Sequence, residues 1–120
     1  MADKDALGRA GEERAAAHLA RRGWRVLERN WRCRDGELDI VALDRDELVV
    51  VEVKTRSSLG YGHPLEAIDR RKRARLWSLA MAWAVAHPDV ARGRDVRIDA
   101  IAVIGPDPRT ARVEHVVDLR

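Results

Sequence analysis

Three side chains on two short apolar runs invite a chemical reading: Asp39 in ELDIVAL (37–43), and Glu52 and Lys54 in ELVVVEVK (47–54). Carboxylate oxygens are the ligands a hard divalent cation such as Mg²⁺ requires. A lysine beside them can be tuned in pKa, which an arginine cannot. The two runs alternate and are separated only by Asp44, Arg45 and Asp46, so they predict an antiparallel hairpin. A two-residue loop at Arg45-Asp46 or a four-residue loop from Asp44 to Glu47 gives the same register, in which paired residue numbers sum to 91. Leu43 then faces Leu48, Val41 faces Val50, Asp39 faces Glu52 and Glu37 faces Lys54, all on one side of the sheet. Leu38, Ile40, Ala42, Val49, Val51 and Val53 occupy the other, wholly apolar side, which this pattern assigns to the core.

Directly paired side chains have Cβ atoms about 4.5–5.5 Å apart, and like charges so placed destabilise the pair. Asp39 opposite Glu52 is thus a local conflict of the kind found at functional sites, and a cation resolves it. An exposed hairpin edge on which Lys54 neutralises both acids would show the same pattern, and the residues alone leave both readings open. Lysine occurs only at Lys4, Lys54 and Lys72 among 23 basic residues, so a lysine at position 54 asks for a chemical reason.

The elements that must position this hairpin are legible on either side. Asp5 to Arg22 is alanine-rich with interspersed charge and predicts a helix closed by Gly23. Trp24 to Arg29 alternates as a short strand, and Asn30 to Gly36 predicts a polar turn. After a loop with Gly60 and Gly62, Pro64 stands where a proline opens a helix. Ile68, Lys72, Leu76, Leu79, Trp83 and Ala86 recur at helical spacing until His87-Pro88 ends the run. Val96 to Ile104 and Arg112 to Val117 predict two further strands, with a turn at Gly105 to Pro108. The order α-β-β-β-α-β-β predicts one α/β domain over residues 1–120, a central mixed sheet flanked by helices.

With Gly11-Glu12, Gly36-Glu37-Leu38-Asp39-Ile40, Val51-Glu52-Val53-Lys54-Thr55-Arg56 and Arg97-Ile98-Asp99, the chain resembles the YraN-like family. That family belongs with the restriction-endonuclease-like nucleases of D…(D/E)-x-K signature and is related to archaeal Holliday-junction resolvases. The resemblance runs from about Gly8 to Ile104. It implies a restriction-endonuclease-like fold in which Asp39, Glu52 and the Val53 carbonyl hold Mg²⁺ or Mn²⁺. Lys54 would orient or deprotonate the attacking water. A first-helix glutamate would complete the catalytic set of Glu12, Asp39, Glu52 and Lys54. Helical geometry alone does not choose between Glu12 and Glu13, which point about 100° apart; the family spacing to Gly23 selects Glu12. No proline-aspartate precedes the hairpin, and Leu38-Asp39 stands there instead. Glu37 is an additional acid that could pair with Lys54. The dimeric state of the resolvases implies a homodimer.

Charge and composition limit the partners. The 120 residues carry a net charge of +3, with 46% hydrophobic and 36% charged residues, enough to bury a core beneath a charged surface. Arg70, Arg71, Lys72, Arg73 and Arg75 concentrate positive charge in the second helix. Six arginines from Arg21 to Arg34 surround the first strand. Arg70, Arg71, Lys72 and Arg73 are the residues assigned to nucleic acid, through sequence-independent phosphate contacts. A solvated helix face balanced by Glu66 and Asp69 is the competing account. Trp31, in the arginine-rich turn, is the tryptophan expected to meet a partner, while Trp24 and Trp83 follow the apolar pattern. His63 stands near enough to the ExK strand in sequence to approach the site. The single cysteine, Cys33, excludes an internal disulfide and a cysteine-rich zinc site. No apolar run is long enough to cross a bilayer, and no leader is visible, so a cytoplasmic protein is expected. These features together predict a metal-dependent nuclease acting on branched or structured DNA. The alternative is a nucleic-acid-binding module that keeps the fold without turnover, and a third is an assembly subunit whose arginines meet an acidic protein.

Overall fold

The computed structural model describes residues 4–60 and 62–119. Helix α1 (Lys4–Arg21) is followed by strands β1 (Arg25–Cys33), β2 (Gly36–Asp44) and β3 (Glu47–Arg56). A 3₁₀ turn (Pro64–Ala67), helix α2 (Arg70–Ala86), a single turn α3 (Pro88–Ala91), and strands β4 (Val96–Ile104) and β5 (Arg112–Val116) complete the order. The five strands lie side by side as β1-β2-β3-β4-β5. β3 and β4 run parallel, and the other neighbours are antiparallel. A parallel neighbour requires a long crossover, and α2 supplies it. The sheet is mixed and flanked by helices, as the element order predicts.

The hairpin keeps the predicted register from Ile40–Val51 to Asp44–Glu47. The core is not confined to one face. Ile40, Ala42, Val49, Val51, Ile101 and Val103 pack with Ala15 and Leu19 of α1. Leu38, Val41, Leu48, Val50, Ile98 and Ala100 pack with Leu76, Leu79, Ala80 and Trp83 of α2. A central strand beside a parallel neighbour is covered on both sides, so the face that carries the acids is apolar over most of its length.

Leu38 departs from the expected side. By alternation it belongs with Ile40, yet it packs beneath α2 while Ile40 packs beneath α1. β1 keeps its register opposite, Arg29 pairing with Ile40 and Trp31 with Leu38, but Asn30 between them has φ +56°. Asparagine tolerates this left-handed conformation better than most residues. The side chains therefore change faces at Asn30 and Asp39.

Two boundaries also differ from expectation. β1 continues through Cys33, so the turn is only Arg34-Asp35, and Trp31 lies within the strand, packed against the α2-side core rather than in a loop. Pro64 opens the 3₁₀ turn and not α2. α2 starts six residues later, where the Asp69 carboxylate accepts from Lys72 N–H at 2.9 Å as an N-cap.

Candidate functional site

The break in β2 places Asp39 where the hairpin ladder has ended. Its register stops at Ile40–Val51, and Asp39 Oδ2 instead accepts the Val53 N–H at 2.9 Å. Asp39 and Glu52 thus come together in one cleft at the mouth of the opened hairpin, although they are not ladder partners. Glu52 and Lys54 leave β3 on the α2 side. α2 reaches over them with Lys72 and Arg75, enclosing a cleft of about 320 Å³ lined also by Gly36, Glu37, Asp39 and Val53. Gly36, at φ +151°, admits this approach: a Cβ there would stand 3.2 Å from both Arg75 Nη2 and Leu79 Cδ1.

Glu12 arrives from the other face. A Cβ on Gly11 would lie 1.9 Å from Thr55 Oγ1, so only glycine lets α1 come this close to the end of β3. A mid-helix glycine costs about 1 kcal/mol against alanine; here it brings the next residue, Glu12, in beside the sheet. Glu12 is 8% exposed, whereas the Glu13 side chain is 73% exposed and bonds Arg29 Nη1 at 2.9 Å.

Charge is poorly satisfied here. Glu12 Oε1 is buried without a hydrogen bond, since Arg29 Nε stands 3.7 Å away. Glu52, 6% exposed, has Oε2 in the same condition, with Lys72 Nζ at 3.1 Å as an ion-pair partner outside hydrogen-bond alignment. Burial, and after it the hydrogen bond and charge of Glu52, push the Asp39 carboxyl up to about 8. Burial also raises Glu12 against the pull of Arg29. Glu52 itself is held below its ordinary value: burial opposes this, but the Asp39 hydrogen bond and Lys72 outweigh it. At neutral pH, therefore, the pair keeps one proton between them. Among the described residues no three acids, histidines or cysteines converge closely enough to hold a metal ion as they stand. The donor set nevertheless fits a hard cation, because the orphaned atoms are carboxylate oxygens.

The remaining candidates are dispersed. Glu37 pairs with Arg32 across β1 and β2 at 2.6 Å, not with Lys54. His63 caps the 3₁₀ turn through Nδ1, and its Nε2 contacts Glu114 on β5. Arg70 and Arg71 are exposed and Arg73 half-buried, with no ion pair to an acid among the described residues. Lys72 stands apart from them. It occupies the stripe of Leu76, Leu79 and Trp83 that faces the sheet, the phase that its helical spacing from Ile68 predicts.

A second buried cluster, to which the sequence assigns no role, gathers around Arg97-Ile98-Asp99. Asp99, 0% exposed, accepts from Arg97 Nε and Asp118 N–H at 2.9 Å each and meets His115 Nε2 at 2.8 Å. Arg97 extends to Glu47 at 2.9 Å and Asp44 at 3.0 Å. His115 Nδ1 lies 3.3 Å from His18 Nε2. The signal available in advance was Arg97-Ile98-Asp99, an alternating charge pair inside an apolar strand.

The class defined by this geometry is an α/β protein with a mixed five-stranded sheet and a basic-walled cleft around paired acids. The chain belongs to the Uncharacterised protein family UPF0102, the YraN family, whose model matches residues 11–103. UPF0102 proteins of Arthrobacter sp. (strain FB24) and Beutenbergia cavernae are 53% and 54% identical to it over 116 residues. Each alignment spans 97% of this chain and 97% of the relative. A crystal structure of a repair endonuclease from Pyrococcus abyssi aligns with a TM-score of 0.47 and 17% identity. It covers 82% of this chain, which spans only 40% of that chain's length. No helix among the described residues is long and apolar enough to cross a membrane.

Proposed function

We propose that the chain is a metal-dependent nuclease that hydrolyses phosphodiester bonds in branched or structured DNA. The observation that carries this reading is the pairing of buried acids Asp39 and Glu52 at an open, basic-walled cleft. At neutral pH Asp39 stays protonated beside Glu52, and Glu12 and Glu52 each hold a buried oxygen without a hydrogen bond. Asp39, Glu52 and the Val53 carbonyl would hold Mg²⁺ or Mn²⁺, with Glu12 behind them. The ion, when bound, would lower the pKa of a water and neutralise phosphate charge. Lys54, in the same cleft, would orient that water and stabilise charge developing on the phosphate oxygens. Val53 N–H fixes Asp39 Oδ2 and leaves its other oxygen for the ion. Arg70, Arg71 and Arg73 would meet flanking phosphates without reading sequence.

One observation favours a binding module without turnover: Lys72 already neutralises Glu52, and no three acids converge. Incubating linear, flapped and four-way DNA with Mg²⁺ or Mn²⁺ separates the two. The nuclease reading expects cleavage of at least one form that disappears in Asp39→Asn while DNA affinity is kept. DNA binding with no cleavage above that variant under any condition would leave the binding module.

A further inference from the structure

The Asp69 cap sets the phase of α2, and that phase turns Lys72 toward the sheet with Leu76, Leu79 and Trp83. The layer above those core residues is thus filled by a cation whose side chain is 38% exposed. Its Nζ lies 3.1 Å from Glu52 Oε2, an oxygen with no hydrogen bond. The chain's choice of cation is informative here. Lysine is used only three times, and two of the three, Lys54 and Lys72, line this one cleft, while the neighbours of Lys72 on α2 are Arg70, Arg71, Arg73 and Arg75. A guanidinium would grip a carboxylate with two parallel bonds; an ammonium is a compact point charge on a flexible stem and can leave.

We propose that Lys72 is a resident counter-ion: it occupies Glu52 until a divalent cation displaces it, and the displaced ammonium then contacts the substrate phosphate. This rests on the metal-site reading of Asp39 and Glu52. It makes Lys72 a positioning residue of the empty cleft and a phosphate ligand of the loaded one. A purely structural ion pair would behave otherwise, because its removal would loosen Glu52 and weaken any ion held there.

The test titrates Mn²⁺ alone, without DNA, into the full chain and into Lys72→Met and Lys72→Arg, followed by calorimetry and by the Mn²⁺ spin resonance signal. Lys72→Met keeps the length and apolar stem of the side chain; Lys72→Gln serves in its place if thermal melting shows that variant unfolded. With the competing charge gone, Lys72→Met binds Mn²⁺ roughly fivefold tighter, the upper range for a partly exposed ion pair, and Lys72→Arg, which grips Glu52 harder, binds it more weakly than the unmodified chain. In DNA-binding titrations against salt, Lys72→Met matches the unmodified chain in EDTA. In Mn²⁺ its slope of log affinity against log salt is shallower by about 1. Equal or weaker Mn²⁺ binding by Lys72→Met, or a slope already reduced in EDTA, overturns the proposal and leaves the metal site standing. Mn²⁺ binding by neither chain overturns both. Binding by Lys72→Met alone supports the counter-ion outright.

Discussion

Asp99 on β4 and Asp39 on β2 are carboxylates drawn into the same sheet, and their surroundings differ in kind. Asp99 is met by Arg97, His115 and the Asp118 amide, and Arg97 in turn by Asp44 and Glu47. Although burial pulls the other way, those partners hold Asp99 below the usual carboxylate range and keep Arg97 firmly charged. Asp39 faces another acid, receives a single amide, and is driven up to about 8. A buried charge with all its bonds made ties elements together; here it joins β4 to the β2–β3 turn and to the C-terminal segment. A buried acid left short of partners costs folding free energy, and on the proposed reading the cation offsets that cost.

The largest expected effect is on stability. Asp99→Asn leaves Arg97 and His115 without their shared anion and lowers unfolding free energy by roughly 3–5 kcal/mol. Asp39→Asn, in metal-free buffer at neutral pH, raises it by about 1–4 kcal/mol, because folding no longer has to protonate an acid that is ionised in the unfolded chain. Denaturant unfolding of both variants checks this, and changes of the same sign would dissolve the distinction.

The two clusters also give opposite pH slopes. Asp39 binds its proton more tightly folded than unfolded, so its stabilising contribution is full below its ordinary value of 3.8 and is lost as pH rises through about 8. Asp99 is lowered on folding, so its contribution is present above its ordinary 3.8 and is lost as pH falls through the lowered value. Melting temperatures of the metal-free chain therefore fall as pH rises from about 4 to about 8 and level off above. Asp39→Asn removes that decline, and Mg²⁺ reduces it by favouring the ionised pair.

Smaller effects concern how the unsatisfied cluster is approached. Gly11→Ala forces a methyl into Thr55 and destabilises by about 1–3 kcal/mol, pushing Glu12 off the sheet. Gly8→Ala, three residues earlier on the same helix with nothing within 4 Å, stabilises by about 0.4–1 kcal/mol. Thermal melts of the pair separate close approach from helix propensity. Smallest of all, Arg71→Ala with Arg73→Ala leaves stability nearly unchanged and flattens the salt dependence of DNA binding by about 1 per lost phosphate contact.

The acid pair was readable in advance because strand alternation is local: Asp39, Glu52 and Lys54 follow from two runs and a short loop. Register and element order follow from the same periodicities. What the sequence concealed was non-local. The change of faces at Asn30 and Asp39 depends on a positive φ that asparagine permits but does not announce, so Leu38 was assigned to the wrong side. β1 extends to Cys33 because an edge strand, paired on one side only, accepts the polar residues Asn30 and Arg32. Asp69 as an N-cap was hidden by Ile68, which sits in phase with the helix it precedes. The Asp99–His115–His18 contacts join residues up to 97 positions apart, and no spacing rule reaches that far.

The central claim is that the unsatisfied cluster, and not the satisfied one, is a cation site. Anomalous diffraction from crystals soaked in MnCl₂, recorded on both sides of the manganese edge, tests it most directly. The expected result is one strong peak bounded by Asp39, Glu52 and the Val53 carbonyl, lost in crystals of Asp39→Asn. A peak beside Asp99 and His115, or none in the Asp39–Glu52 cleft at saturating Mn²⁺, would contradict it.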